Sequence, residues 1–356
     1  MTNRITCDHV QLYVEDVRAT SEELVSKYGF EILWLPRKNR YKTALSTVLG
    51  QGSIVLVLTE PTGLHAGHEY LAAHGDGIVG IGFRCDDVHG VYKRAVVNGA
   101  HPIAPPRPVE SGYAAALKGP GDIMHTLVEQ APDSTMMLLP EVGLIPRREP
   151  ACEVGLRTID HFALCVPRGE LGRVVAMYTR AWGFERIFQE TIAVGAQAMD
   201  SVVVASPGGG IALTLIEPAG GEPGQIDHFV DRHGGAGVQH IAFATDDIVA
   251  TVSELYTRGV KFGATPSAYY TGLAKRAETL RHGVLRLRSL GILVDHDHGG
   301  ELYQIFTQST HRRRTYFTEI IERDGASTFG SNNIRLLYEA KKREMDQLVE
   351  QHSEPA

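Results

Sequence analysis

The chain has 356 residues, 43% of them hydrophobic and 22% charged, with a formal net charge of −7. That length supports two substantial cores, and the balance is that of an ordinary globular protein. The dispersed negative charge excludes a polyanion as the obvious partner, and no apolar run approaches membrane-spanning length.

The N-terminus lacks a basic-then-apolar leader, and Cys7, Cys85, Cys152 and Cys165 show no paired metal spacing. Reduced thiols in a cytoplasmic protein, with no nucleic-acid or membrane partner, are expected. Reading along the chain, Asp8-His9-Val10-Gln11-Leu12-Tyr13-Val14 is a strand, followed by an amphipathic helix over Ala19–Lys27. Strands follow at Ile54–Pro61 and Gly77–Phe83, then a helix over Val88–Asn98 and a strand at Met124–Glu129.

The same series then returns. Asp160-His161-Phe162-Ala163-Leu164-Cys165-Val166 answers the first strand, and Ile211–Pro218 answers Ile54–Pro61. Gly237–Phe243 with Asp246-Asp247 answers Gly77–Phe83 with Asp86-Asp87, and Phe317–Glu322 answers Met124–Glu129. Helices over Glu170–Ala181 and Ile248–Arg258 fall at the matching places. The chain is therefore a duplication, and each half divides again, giving an α+β fold of four βαβββ units. Two such units side by side curl their sheets around one cleft, so an N-terminal domain over residues 1–150 and a C-terminal domain over 151–356 are expected. From Asn333 onward, Ile334, Leu337, Tyr338, Met345 and Leu348 keep helical spacing, which suggests a final helix lying either over the cleft mouth or on the outside of the barrel.

The chemistry-bearing residues lie in the second half. His161 and His240 are 79 residues apart, as are His240 and Glu319, and each lies in a strand. Two imidazoles and a carboxylate fill one face of an octahedral ion and suit iron(II) handling oxygen and a chelating substrate. The first half is the control: His9 persists, but Gly80 stands for His240 and Thr126 for Glu319. That half is expected to be structural. Three other features read as decoys. Asp295-His296-Asp297-His298-Gly299-Gly300 reads as an exposed turn, Pro207-Gly208-Gly209-Gly210 as a hairpin, and Arg312-Arg313-Arg314 as a solvated loop.

These residues carry a resemblance to the family of 4-hydroxyphenylpyruvate dioxygenases and 4-hydroxymandelate synthases, built from vicinal-oxygen-chelate modules. It is strongest in Gly237-Val238-Gln239-His240-Ile241-Ala242, Leu302–Thr307, Phe317–Arg323 and Phe329–Ile334. The resemblance implies an iron(II) enzyme that takes 4-hydroxyphenylpyruvate and O2 and releases CO2, with His161, His240 and Glu319 as ligands. A homodimer is left open, and the final helix is expected to act as a lid. Thr214 and Ile216 stand where homogentisate-forming members usually carry proline and asparagine, and Ile334 and Tyr338 where they carry phenylalanines. These departures, with Ser201, favour the mandelate-forming branch.

The resemblance places Ser201, Thr214, Ile216, Gln225, Gln239, Gln304, Phe306, Phe317 and Tyr338 around the substrate, with Phe306 and Phe317 sandwiching its ring. Thr318, at a position usually apolar in the family, is expected to point away from the metal. Two rival readings are a homogentisate-forming dioxygenase, which Thr214 and Ile216 oppose, and a non-catalytic binder, which the complete triad opposes.

Overall fold

Each of the four expected units is closed by a carboxylate at the start of its helix. The computed structural model describes residues 4–35, 43–109, 112–130, 134–273, 280–297, 299–330, 333 and 335. Unit one comprises β1 (Ile5–Tyr13), α1 (Val17–Tyr28), β2 (Glu31–Trp34), β3 (Ala44–Gln51) and β4 (Ile54–Pro61). After α2 (Gly67–His74), unit two comprises β5 (Gly77–Cys85), α3 (Val88–Val97), β6 (Pro102–Val109), β7 (Gly112–Lys118) and β8 (Met124–Gln130). Helix N-termini leave backbone N–H groups without intrahelical partners. Asp16 and Asp87 accept some of these as N-caps. A second carboxylate arrives from the last strand of the same unit: Glu60 accepts from Val17 N at 3.1 Å, and Glu129 from Val88 N at 2.9 Å.

A hairpin of β9 (Met136–Leu139) and β10 (Gly143–Pro146) leads to the second half. Unit three has β11 (Thr158–Cys165), α4 (Leu171–Ala176), β12 (Glu185–Val194), β13 (Gln197–Ala205) and β14 (Ala212–Pro218). After α5 (Gln225–His233), unit four has β15 (Gly237–Ala244), α6 (Ile248–Thr257), α7 (Ser267–Leu273), α8 (Val284–Leu290), β16 (Leu293–Asp297), β17 (Gly300–Phe306) and β18 (Phe317–Asp324). The latch recurs: Glu217 accepts from Leu171 N at 3.1 Å, and Glu322 from Ile248 N at 2.7 Å. Its effect is the same in every unit. The last strand is held beside the first, and the pairs β1–β4, β5–β8, β11–β14 and β15–β18 are all parallel.

Units join in pairs through antiparallel β1–β5 and β11–β15 contacts. The resulting eight-stranded sheets have orders β2-β3-β4-β1-β5-β8-β7-β6 and β12-β13-β14-β11-β15-β18-β17-β16. Curled sheets of this topology make the two open barrels expected for vicinal-oxygen-chelate modules. The faces turned away from the clefts share one apolar core with the unit helices, containing Val10, Leu56 and Phe83 as well as Phe162, Trp182 and Phe243. Phe83 meets Trp182 edge-on at 5.1 Å, and Phe30 meets Phe243 at 6.0 Å, so the halves are packed through their helices. Each such fully buried ring contributes about 2–3 kcal/mol.

Four details differ from the sequence expectation, the first being that Asp295–Asp297, read as part of an exposed turn, lies in β16 with Asp295 buried. The helix read over Glu170–Ala181 is α-helical only to Ala176 and widens to π geometry over Met177–Trp182, burying Tyr178, Ala181 and Trp182. Two helices, α7 and α8, are inserted in unit four. Arg313 belongs to a loop that does more than meet solvent: it donates to the carbonyl oxygens of Ala72 and Ala73 at the C-terminus of α2, at 2.8 and 2.5 Å. Of the residues read as a final helix, Asn333 and Arg335 are described, whereas Ile334, Leu337, Tyr338, Met345 and Leu348 lie outside the described residues. No helix among the described residues is long and apolar enough to cross a membrane.

The first cleft is filled. Val48, Val55 and Val57 on its sheet pack against Met137, Leu139 and Ile145 of the β9–β10 hairpin. Beside them Asp8 accepts from His9 Nδ1 at 2.9 Å and from Arg84 Nε at 2.9 Å. Burial opposes the Asp8 charge, but His9 and Arg84 outweigh it and hold the carboxyl at about 2. A depressed carboxyl stabilises the fold above the unfolded value of 3.8, and that contribution disappears as pH falls towards 2. Asp8→Asn is therefore expected to remove about 2 kcal/mol at neutral pH and to flatten the stability loss between pH ~4 and ~2. Denaturant unfolding across that range measures it; an acid limb as steep as in the parent chain would acquit Asp8.

Candidate metal centre

Register brings the three ligand candidates together. In the second sheet His161 lies opposite Ala242 and Ala242 opposite Glu319, so all three project to one face. His240, two residues before Ala242, shares that face. The three strands concerned, β11, β15 and β18, are consecutive in the sheet. The outcome is a cluster whose ligand atoms lie within 4.8 Å of one another, every member buried. Glu319 Oε2 is 3.4 Å from His161 Nε2 and 3.4 Å from His240 Nε2.

The outer ring nitrogens are held elsewhere. His161 Nδ1 donates to Asp160 at 2.8 Å, and His240 Nδ1 lies 3.2 Å from Gln239 Oε1. Both tautomers are thereby set with Nε2 turned inward. Arg323 fixes Asp160 in turn, with Nε at 2.7 Å and Nη2 at 2.8 Å, and its guanidinium lies 4.8 Å from the Phe329 ring centre. Burial penalises a Glu319 charge, yet His161 and then His240 hold the carboxyl at about 2. Burial likewise works against a charged His161, but Glu319 and Asp160 prevail and raise it to about 9. At His240 burial prevails and the ring is shifted down. This is a place that concentrates negative charge beside neutral or neutralisable nitrogen, as a cation requires.

The first half repeats the scaffold without the donors. His9 lies opposite Gly82, and Gly82 opposite Thr126; Gly80 lies opposite Met124, as His240 lies opposite Phe317. Only one of three donor positions survives there. A second acidic group, Asp247, His282 and Glu322, has suitable spacing. Its Glu322 is the helix latch of unit four and also meets His282 at 2.9 Å and Arg281 at 2.8 Å, which accounts for it without an ion.

Around the cluster, Thr214 and Ile216 lie opposite Ala163 and Cys165, and Ser201 opposite Ile216, so all three share the triad face. They are buried, and the Thr214 hydroxyl has no partner among the described residues. Ile216 belongs to an apolar patch with Ile192, Met199, Ile226 and Phe229, through which α5 closes one end of the cleft. Gln225, half-buried, opens that helix.

Phe317 stacks on His240 at 4.9 Å, and Phe306 meets Phe317 at 6.2 Å and 77°. The two phenylalanines form a corner rather than the parallel plates of a sandwich. Gln239 and Gln304 are also placed differently from the expectation, because their amides touch the ligand candidates His240 and Glu319. Thr318 points to the other face, where its hydroxyl meets Thr307 at 3.1 Å and Tyr28 at 3.4 Å. Sequence reasoning missed Asp160, Arg323 and Phe329 as supports; the Asp-His pair repeated at Asp8-His9 was the available signal for the first.

Comparison with known proteins agrees with this geometry. Residues 158–285 match the Glyoxalase/Bleomycin resistance protein/Dioxygenase superfamily, and residues 8–138 match the N-terminal family of hydroxyphenylpyruvate dioxygenase. A 4-hydroxyphenylpyruvate dioxygenase of Aspergillus fumigatus is 33% identical over 95% of this chain and 92% of its own. That of Dictyostelium discoideum is 32% identical over 95% and 98%. Among solved structures, a triple mutant of 4-hydroxymandelate synthase from Streptomyces coelicolor superposes with a TM-score of 0.86 and 39% identity, covering 96% of this chain and 98% of that one.

Proposed function

The chain belongs to the 4-hydroxyphenylpyruvate dioxygenase family, and from that premise we propose that it is an iron(II) enzyme converting 4-hydroxyphenylpyruvate and O2 to 4-hydroxymandelate and CO2. The observation carrying the metal reading is Glu319 Oε2, equidistant from two inward-facing imidazole nitrogens. Two nitrogens and one carboxylate oxygen fit iron(II) and leave coordination positions for other ligands. We assign the donors to His161, His240 and Glu319, residues 151–356 to catalysis and residues 1–150 to a structural role. When bound, iron(II) would pass electrons from the substrate to dioxygen, ending as iron(II) itself, and would offer the positions at which a 2-oxo acid and dioxygen meet.

The chain's own residues orient and enclose. Asp160 and Gln239 keep the two imidazoles from rotating, so the donor geometry needs no rearrangement when substrate enters. The unpartnered Thr214 hydroxyl is available to a polar group of the substrate, and a buried hydroxyl without a partner costs about 1–3 kcal/mol until one arrives. The Phe306–Phe317 corner receives an aromatic ring edge-on and face-on at once. Opposite it, Ile216 and its apolar neighbours exclude water and offer no amide to draw the ring forward.

In the balanced reaction one oxygen atom of O2 ends in the new carboxylate and the other on the benzylic carbon. Ring hydroxylation with side-chain migration would give homogentisate from the same reactants, so the branch depends on pose. Incubating iron-loaded protein with 4-hydroxyphenylpyruvate in air and resolving the products tests the proposal. 4-Hydroxymandelate should dominate; mainly homogentisate would place the chain in the other branch, and no oxygen uptake would make it a binder.

A further inference from the structure

The Glu319 carboxylate has two oxygens with different company. Oε2 faces the two histidines, while Oε1 accepts from Gln304 Nε2 at 2.7 Å. Gln304 is 1% exposed and its other amide atom is also engaged: Oε1 accepts from Asn333 Nδ2 at 2.9 Å. Asn333, with no exposure, also accepts from the Tyr269 hydroxyl at 3.3 Å. Turning the Asn333 amide over would offer it Val294 O and Asp295 N, but would set its oxygen against Gln304 Oε1. A carboxylate can only accept, so Glu319 fixes the direction of both amides.

Gly330 presses on the same glutamine. Gly330 has φ +75°, and a Cβ there would lie 2.1 Å from Gln304 Oε1. Its approach is held from two sides. Asp297 accepts from Ser327 N at 2.7 Å and Thr328 N at 2.6 Å, and Arg323 donates to Thr328 O at 2.6 Å. Arg323 is the residue that fixes Asp160 behind His161. The supports of two ligand candidates, His161 and Glu319, therefore converge on one short stretch after β18.

We propose that Gln304 is a positioning residue for Glu319, locked by Asn333 and Gly330, rather than a substrate contact. The stretch from Ala326 to Gly330 together with Asn333 thus sets metal affinity from outside the ligand set. The inference rests on the metal reading above. Without the Gln304 amide, Glu319 is free to rotate and to offer either oxygen, and the site loses its preorganised face. Without Asn333, Gln304 Oε1 loses its donor and the amide is held at one end only, by Glu319. Because Asn333 acts only through Gln304, losing both is no worse than losing Gln304.

Cobalt(II) is the probe: its visible ligand-field spectrum reports donor geometry, and calorimetry reports affinity, both on the metal-free full-length chain. Gln304→Met should raise the cobalt dissociation constant about 10- to 100-fold and alter the spectrum. Asn333→Ala and Gly330→Ala should each move in the same direction, and Gln304→Met/Asn333→Ala should match Gln304→Met. Thermal unfolding of the metal-free forms verifies folding; if Gln304→Met does not fold, Asn333→Ala and Gly330→Ala carry the test. Parental affinity and spectrum in folded variants would overturn the relay alone. A parent chain that binds no cobalt, or a His240→Ala variant that binds it equally well, would overturn the metal reading and the relay with it.

Discussion

His240→Ala should bind iron(II) more than about 100-fold more weakly than the parent and lose at least as much turnover at limiting metal. Supporting residues around metal ligands are commonly worth 10- to 100-fold in affinity, and a direct donor is worth more. On the proposed reading His240 is one of three donors, and its ring lies between Phe317 at 4.9 Å and Phe306 at 6.0 Å, neither of which can replace it. His9→Ala provides the contrast. His9 sits at the strand position equivalent to His161, but lies in register with Gly82 and Thr126, and the surrounding cleft is filled by the β9–β10 hairpin. Its loss should lower stability through Asp8 and leave iron content and turnover unchanged. Metal analysis after desalting, with oxygen-electrode rates, separates the two; equal iron in His240→Ala would remove it from the ligand set.

Ile216→Asn should move the product ratio towards homogentisate by about tenfold, and more when combined with Thr214→Pro. A tenfold change in partition needs only about 1.4 kcal/mol between two competing barriers. The new amide would project into the cleft opposite Ser201 and two residues from the unpartnered Thr214 hydroxyl. Those two hydroxyls can satisfy part of it, which limits the cost of burying an amide where Ile216 is now 6% exposed. The remainder of its hydrogen-bonding capacity is free to hold a substrate oxygen and bring the ring forward. Chromatography of both products across the series reads the shift. A constant ratio at unimpaired turnover would mean that position 216 does not choose the pose.

The four-unit plan was legible because its signals are local and repeated. Asp87 and Asp247 follow their strands at matching distances and cap their helices as N-terminal signals should. The triad was legible because strand alternation and duplication fix which residues share a face, and the first half shows the same face without donors. What escaped depends on rotamers chosen by distant neighbours. Gln304 looked like a pocket amide until its two ends were found on Glu319 and Asn333. Phe306 and Phe317 are eleven residues apart with nothing local to set their angle, and they meet nearly at right angles. The π turn at Met177–Trp182 and the added helices α7 and α8 keep the apolar spacing of ordinary helix and loop, so composition does not mark them.

The glutamate latches bear on how such a chain tolerates growth. Glu322 ties the end of β18 to the first turn of α6, while β15 and β18 pair directly. The geometry between His240 and Glu319 is therefore set by the two ends of the unit, and the chain between them is a loop in the topological sense. Lengthening a closed loop costs little, only about 0.6 kcal/mol per doubling. Unit four already holds α7 and α8 in that interval without moving its two donors apart. The interval between α6 and β16 is where chain length can be added by evolution or by design while His240 and Glu319 stay in register.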